Sequence, residues 1–144
     1  MDYDSLKLEN QLCFPLYACS KEIIKKYKPF LDPLGLTYTQ YITLMVLWEE
    51  NNITIKTLGE RLYLDSGTLT PLLKKMESQG LVTRERSPKD ERNVYIKLTE
   101  RGIALRDQAV EVPKQMGNCL ALPKEELVAL KNSLNKILKH LSEI

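Results

Sequence analysis

Apolar residues recur every three to four positions along most of the chain, which is the spacing of amphipathic helices. This spacing predicts a first helix that begins within Glu9–Phe14 and runs to about Lys28. Pro29 and Pro33 follow directly. Because proline interrupts the helical hydrogen-bond pattern, we expect these two residues to end the helix and build a loop.

A second and a third helix are predicted to follow after short breaks. Thr39 is placed to cap a helix over Gln40–Glu50, since threonine is favoured at helix starts. Asn51 and Asn52 then predict a break. Thr54 is placed to cap a short third helix, whose inward apolar residues are Ile55, Leu58 and Leu62.

The segment Asp65–Gln79 predicts a fourth helix with one buried face. Its apolar residues lie at positions i, i+3, i+4 and i+7, namely Leu69, Leu72, Leu73 and Met76. Pro71 leaves two interpretations open. The helix either begins at Pro71 with Thr70 as its cap, or is a longer helix capped by Asp65 that loses one backbone hydrogen bond. Gly80 suits the position just after the helix.

The period then changes from nearly four residues to two. Residues 81–86 and 93–98 resemble strands, and the turn-rich sequence SPKDER joins them, so we expect a β-hairpin with a charged tip. Two short helices followed by a hairpin form a candidate winged helix-turn-helix.

The last third of the chain is predicted to be helical. Thr99 is placed to cap a helix that runs through Ala109 and beyond, and a final helix is predicted over about Lys124–Leu141. Between them we expect a looser stretch, because it contains Pro113, Gly117 and Pro123.

Composition excludes several classes of protein. The chain has 144 residues, of which 43% are hydrophobic and 28% charged, so one packed domain is expected. No apolar run approaches the roughly 20 residues of a membrane helix, and the amino terminus lacks the apolar core of a secretory signal. We therefore expect a cytoplasmic protein without a membrane partner. Three scattered cysteines and one histidine predict neither a disulfide framework nor a metal or cofactor site.

Charge is distributed unevenly along the chain. The net charge is +2, but residues 74–106 carry nine basic residues against five acidic ones. A basic stripe fits a polyanion-binding face, although a solvated charged surface explains it as well. A helix face fits the major groove of DNA, and a hairpin tip can follow the backbone or enter the minor groove. The candidate DNA-binding residues are Ser66, Thr68, Thr70, Lys74, Lys75, Arg84, Arg86, Lys89, Asp90 and Arg92.

The stretch DSGTLTPLLKKMESQGLVTRERSPKDERNVYIKLTERG resembles the MarR family of winged-helix repressors, whose wing pattern is similar to Asp90-x-Arg92 followed by Leu98-Thr99 and Gly102. The resemblance covers the chain from about residue 6. It implies a mainly α fold with a small β-hairpin wing, and a homodimer that binds double-stranded DNA at an inverted-repeat operator. We expect a single domain over residues 1–144. In it, residues 36–99 form the winged helix-turn-helix, and residues 6–35 and 100–144 form the helical dimerisation region.

The block LENQLCFPLYACSKEIIKKYKPFLDPLGLTYTQY resembles the organic-hydroperoxide-sensing branch of that family and related thiol-based stress regulators. In that branch a cysteine near the start of the first helix is the sensor, and two tyrosine hydroxyls hold its sulfur. By motif position these residues are Cys13, Tyr27 and Tyr38, and Tyr17 is a weaker candidate for the same pocket.

The chemistry of a thiol fits this role. A thiolate attacks the O–O bond of a peroxide, and hydroxyl donors favour the charged form. Pro15 suits a first helical turn, which would place Cys13 where unpaired N–H groups favour an anion, although Pro15 could also kink the helix. Taken without the resemblance, Cys13 also fits a core cysteine on an apolar helix face.

Oxidised Cys13 has two onward routes, a disulfide with a second thiol or capping by a small cellular thiol. Some members of the resembling branch carry a second cysteine near the last helix, and Cys119 lies in that region. Cys119 is therefore the candidate resolving residue for Cys13 of the other subunit, although an incidental loop cysteine explains it equally well. Cys19 faces away from Cys13 on a straight helix and is expected to be structural.

The sequence thus predicts a DNA-binding transcriptional repressor, with no catalytic residues, that senses organic hydroperoxides by oxidation of Cys13 and then releases its operator. Two alternatives stay open within the family, a response to a small aromatic ligand and a response to general oxidative stress. An alternative of another class is a thiol peroxidase that uses Cys13 as its nucleophile.

Overall fold

The computed structural model describes residues 1–90 and 92–143. Its helices are α1 (Cys13–Leu31), α2 (Tyr38–Glu49), α3 (Ile55–Leu62), α4 (Ser66–Ser78), α5 (Glu100–Ala109), α6 (Val112–Cys119) and α7 (Lys124–Ser142). The strands β1 (Ile53–Thr54), β2 (Val82–Arg86) and β3 (Val94–Leu98) form an antiparallel sheet in the order β1-β3-β2. The predicted fold class, mainly α with a small β-hairpin wing, is confirmed.

Side-chain caps fix the starts of four consecutive helices. Thr54 caps α3 and Thr99 caps α5, as predicted, each by accepting a backbone N–H three residues later. Asp65 caps α4, so the interpretation with a longer helix through Pro71 is the correct one. The prediction that Thr39 caps α2 is wrong. Thr37 does so because its hydroxyl accepts the Gln40 N–H while the Gln40 side chain accepts the Thr37 N–H, which satisfies two donors at once.

Two predictions based on proline are wrong. Pro29 does not end α1, which continues to the buried Leu31 and is followed by a 3-10 turn containing Pro33. The region from Pro113 onwards is not loose, because it contains α6, and Pro113 lies in the first turn of that helix. Proline loses little there, since first-turn N–H groups have no helical partner. In α1, where Pro29 lies inside the helix, the burial of Leu31 outweighs the local preference of proline.

The core lies where α2, α3 and α4 pack against the sheet. Its fully buried residues include Leu44, Leu47, Leu58, Leu69, Leu73, Met76 and Ile96. In the hairpin Val82 pairs with Leu98 and Arg86 pairs with Val94, so its base belongs to the core and its tip projects outward. Gly80 follows α4 with φ of 77°, as a helix-ending glycine does, and the Leu81 N–H closes the helix end on the Met76 carbonyl.

The outer helices leave their apolar faces uncovered in a single chain. In α1 only Leu31 is buried, and α7 buries none of its residues. The large exposed hydrophobic residues of these helices are Phe14, Leu16, Tyr17, Ile24, Val128, Leu130, Ile137, Leu138 and Leu141. Within residues 1–90 and 92–143, no helix combines the length and hydropathy that a membrane crossing requires.

Candidate functional site

Three tyrosines meet where α1 packs against the start of α2. The ring centroids of Tyr27 and Tyr38 are 4.8 Å apart, and the ring of Tyr41 lies 5.9 Å from Tyr27 and 6.3 Å from Tyr38. The structure therefore brings together the two tyrosines named from the sequence and adds Tyr41, which is only 3% exposed. The three-residue spacing of Tyr38 and Tyr41, which places both on one helix face, was the signal that could have identified the third ring.

The hydroxyls of this tyrosine cluster (Tyr27, Tyr38 and Tyr41) stay protonated well above neutral pH. Burial raises the pKa of Tyr27 and of Tyr38, and at Tyr27 the nearby Tyr38 raises it further. Burial, with smaller effects from the other two rings, raises the pKa of Tyr41 to about 12. A protonated hydroxyl can donate a hydrogen bond, so Tyr27 and Tyr38 can act as donors to an anion.

Cys13 is the first residue of α1, and it is exposed. The preceding residue, Leu12, makes no side-chain capping bond, in contrast to the residues that cap α2, α3, α4 and α5. The first N–H groups of α1 are therefore available to an anion placed at this end of the helix. Pro15 lies within the same first turn, where proline removes no helical hydrogen bond.

Cys13 and the tyrosine cluster are far apart within one chain. Cys13 and Tyr27 are separated by 14 positions of the same helix, which corresponds to about 21 Å along its axis. The single chain thus does not bring Cys13 to Tyr27 and Tyr38. Tyr17 lies one turn after Cys13, is exposed, and has the Lys21 ammonium 5.3 Å from its ring centroid.

The other two cysteines are also free, exposed thiols. Cys119 ends α6, and its thiol donates a hydrogen bond to the Gln115 carbonyl, with 3.4 Å between sulfur and oxygen. Cys19 lies on α1 and is exposed, so it is not a core residue of the single chain.

Most of the side chains predicted to contact DNA from α4 are exposed. Ser66, Thr68, Lys74 and Lys75 are exposed, and Thr70 is partly buried. We call α4 the recognition helix from here on. Its cap, Asp65, accepts the Thr68 N–H at 2.8 Å, and this backbone hydrogen bond is the main reason that the pKa of Asp65 is lowered. The carboxylate therefore stays charged and stabilises the positive end of the helix.

The wing, residues 82–98, holds the remaining predicted DNA contacts. Arg92 is 91% exposed and lies 3.2 Å from the Asp90 carboxylate, which also accepts the Arg92 N–H. Arg84 pairs with Glu77 of the recognition helix at 3.3 Å, and Arg86 and Lys89 are exposed. Asp90 thus orients Arg92, while Arg84 ties the wing to the recognition helix.

Two further residues lie beside these candidate DNA contacts. A cleft of about 940 Å³ between α3, the recognition helix and the wing is lined by Lys56 and Tyr63 together with Ser66, Thr70 and Arg92. Tyr63 ends α3 with φ of 57° and is exposed. Neither Lys56 nor Tyr63 lies in the basic segment, residues 74–106, so the charge pattern does not indicate them.

Comparison with known proteins finds winged-helix regulators. Residues 25–108 match the model of the family described as transcriptional regulator SarA/Rot. The chain is 54% identical over 144 residues to the organic hydroperoxide resistance transcriptional regulator of Bacillus subtilis (strain 168), covering 98% of this chain and 96% of that protein.

Two solved structures of AbfR, a protein of Staphylococcus epidermidis, are also similar. Overoxidized AbfR bound to DNA is 39% identical with a TM-score of 0.79, covering 98% of this chain and 99% of that one. Disulfide-formed AbfR is 38% identical with a TM-score of 0.70, covering 96% of this chain and 94% of that one.

Proposed function

Because the chain belongs to the SarA/Rot family of transcriptional regulators and has the MarR-type winged-helix fold, we propose that it represses transcription until an organic hydroperoxide oxidises Cys13. Regulation of transcription, and not enzymatic turnover, is the activity of this family. The Bacillus relative, named for organic hydroperoxide resistance, supports the inducer. The site of action is the cytoplasm, where the operator DNA lies.

The main support for this proposal is the uncapped amino end of α1. It presents the exposed Cys13 sulfur beside unpaired N–H groups, which favour the anion that attacks a peroxide. The thiolate bonds to one peroxide oxygen, the O–O bond breaks, and the departing alkoxide takes a proton. The products are a sulfenic acid on Cys13 and an alcohol.

The donors to this sulfur come from a second copy of the chain. Tyr27 is too far along α1 to reach the Cys13 of its own chain, whereas the apolar faces of α1 and α7 remain exposed for pairing. In the proposed homodimer, the partner subunit's Tyr27 and Tyr38 donate hydrogen bonds to Cys13. Oxidation adds an oxygen at this contact and disturbs it.

Cys119 is the proposed resolving residue. The partner subunit's Cys119 thiol attacks the sulfenic sulfur, which forms an intersubunit disulfide and releases water. One solved structure of AbfR shows the overoxidized protein bound to DNA, so in that relative added oxygen does not by itself prevent DNA binding. In the proposed mechanism the disulfide between subunits is therefore the change that removes the repressor from its operator.

Release of DNA follows from the distance between the two recognition helices of the dimer. Two recognition helices that enter successive major grooves on one side of an inverted repeat are about 34 Å apart. The hydroxyls and lysines of the recognition helix and the guanidinium of Arg92 hold each half-site. A shift of the dimerisation helices misplaces one half-site relative to the other, and contacts to bases and phosphates are lost.

The test is operator binding by gel shift with and without an organic hydroperoxide. Wild type is expected to release DNA after oxidation, whereas Cys13→Ser binds and is not released. Cys19→Ser, the same change on the same helix, is the matched control and should respond like wild type. Release of Cys13→Ser at wild-type doses would refute the sensor assignment. Non-reducing gels test Cys119: a covalent dimer is expected in wild type and none in Cys119→Ser.

A cavity favours a second candidate function, a response to a small apolar ligand. About 400 Å³ in volume, it lies between α2, α5 and α6 and is lined in part by Tyr41, Met45, Trp48 and Arg106. Its contact with Tyr41 connects it to the tyrosine cluster. Under this alternative Cys13→Ser would keep a full response to the inducer.

A further inference from the structure

A buried amide joins the tyrosine-bearing end of α2 to the recognition helix. Gln40 is 1% exposed and lies between Tyr38 and Tyr41 in the first turns of α2. Its Nε2 donates to Oε1 of Gln79 at 3.0 Å, and Gln79 is the residue that ends the recognition helix. The two residues are 39 positions apart in the sequence, so this contact connects two elements that the chain does not connect locally.

The other end of the Gln40 side chain is also held. Its Oε1 accepts the Thr37 N–H at 3.1 Å and completes the capping box of α2. Each end of the amide therefore has a partner, and its orientation is tied to the Thr37 backbone N–H at the start of α2. Tyr38 is the first residue of α2 and follows Thr37 directly, so the cap, the amide and the tyrosine share one end of the helix.

The carboxyl end of the recognition helix is fastened on a second side. Arg101 donates to the Gln79 carbonyl at 2.6 Å, and the Thr99 hydroxyl donates to the Gly80 carbonyl at 2.6 Å. This end is thus held between α2 and α5, while the opposite end faces the cleft beside the wing. Because the recognition helix has 13 residues and is about 20 Å long, a small shift at its fastened end tilts the whole DNA-contacting face.

We propose that the Gln40–Gln79 hydrogen bond is the positioning contact through which the tyrosine cluster sets the angle of the recognition helix. The inference deepens the proposed function and rests on it, because oxidation of Cys13 is what disturbs Tyr38. When Tyr38 shifts, the Gln40 amide moves away from Gln79, and the recognition helix loses the orientation that fits the groove. Gln40 and Gln79 touch neither the sulfur nor DNA in this mechanism; they act through the helices that they join.

Gln79 is the position to vary, since Gln40 also caps α2. Gln79→Met keeps the length of the side chain and removes the acceptor, whereas Gln79→Glu keeps an acceptor oxygen for the Gln40 amide. Operator Kd is measured by fluorescence anisotropy for the full-length dimer, reduced and after hydroperoxide treatment. In Gln79→Met the ratio of oxidised to reduced Kd is expected to fall about fivefold, the worth of one ordinary hydrogen bond. In Gln79→Glu this ratio of Kd values is expected to stay within about twofold of the wild-type ratio. The proposal is overturned if the ratio of oxidised to reduced Kd in Gln79→Met equals that of wild type. This includes the case in which Gln79→Met weakens operator binding equally in both states.

A double-mutant cycle on the reduced protein separates this inference from the proposed function. Tyr38→Leu and Gln79→Met are measured singly and together for operator Kd, with the exposed Gln108→Met replacing Gln79→Met as the matched control. The change in Kd of the double mutant Tyr38→Leu/Gln79→Met is expected to differ by about threefold or more from the product of the two single changes. For Tyr38→Leu/Gln108→Met the change in Kd is expected to equal that product. Multiplicative effects at Gln79 refute the contact's role. If wild type and Cys13→Ser respond alike to hydroperoxide, the sensor assignment fails, yet this cycle still decides whether the contact couples the two helices.

Discussion

Gly102 marks the closest approach between α5 and the segment after the recognition helix. A Cβ at this position would lie 2.3 Å from the Leu81 carbonyl oxygen and 3.1 Å from Cδ2 of Leu98. The Leu81 carbonyl accepts the Thr99 N–H at 3.1 Å, and the Gly102 carbonyl accepts the Trp48 indole N–H at 2.9 Å. Both sides of the contact are backbone groups held by hydrogen bonds, so neither can move freely.

Gly102→Ala is therefore expected to destabilise the fold. Relief of the contact requires a displacement of about 1 Å, and overpacking of this kind costs about 1–3 kcal/mol. We expect the upper end, because the obstacle is backbone and not a flexible side chain. The higher helix propensity of alanine returns about 1 kcal/mol. The net loss is about 2 kcal/mol, or a fall in Tm of about 6 °C for a chain of this length.

Thermal unfolding followed by circular dichroism measures this loss, at one fixed concentration because the proposed dimer makes Tm concentration-dependent. The matched control is Gly117→Ala in α6, where an added Cβ meets nothing within 4 Å. Alanine there should raise the free energy of unfolding by about 0.5–1 kcal/mol. A Gly102→Ala protein as stable as wild type would show that the contact between α5 and Leu81 is not tight.

Two further predictions concern the tyrosine cluster and the wing. The raised pKa of Tyr41 predicts that its contribution to stability is fully present below pH 10 and is lost as pH rises towards about 12, because the unfolded state releases the proton first. Urea unfolding across this range should show a smaller alkaline loss in Tyr41→Phe than in wild type, and equal losses would contradict the buried hydroxyl. Arg92→Ala should reduce the slope of log K against log salt by about 1 per subunit, and Lys114→Ala on α6 should leave it unchanged. An unaltered slope for Arg92→Ala would place the wing tip away from the phosphates.

The sequence predicted those parts of the fold that depend on neighbouring residues. Thr54 and Thr99 were identified as caps because a cap bonds a backbone group only three positions away. The cap of α2 was misplaced because Thr37 and Thr39 are both suitable, and the reciprocal bond with Gln40 decides between them. Strand β1 was missed since two residues carry no periodicity, and it exists because Ile53 pairs with the distant Ile96.

The candidate site likewise has parts that neighbouring residues indicate and parts that depend on distant contacts. Local spacing and charge predict the exposed hydroxyls and lysines of the recognition helix and Arg92 of the wing as DNA contacts, which stays a prediction. The tyrosine cluster needed the packing of α1 on α2, and the contact between Gln40 and Gln79 joins residues 39 positions apart, which no local pattern indicates. Burial explains why such contacts matter, since a buried amide that loses its partner costs more than an exposed one.

The length of α1 connects sensing to assembly. Cys13 and Tyr27 lie on one rigid helix, so no local rearrangement short of unfolding α1 can bring them together within a chain. If the tyrosines hold the sulfur, the site must form between two copies, and the exposed apolar faces of α1 and α7 provide the surface on which they meet. The sensor site is then part of the dimer interface. Chemistry at Cys13 consequently acts on the relative position of the two subunits. This position must match the spacing of the two halves of an inverted-repeat operator.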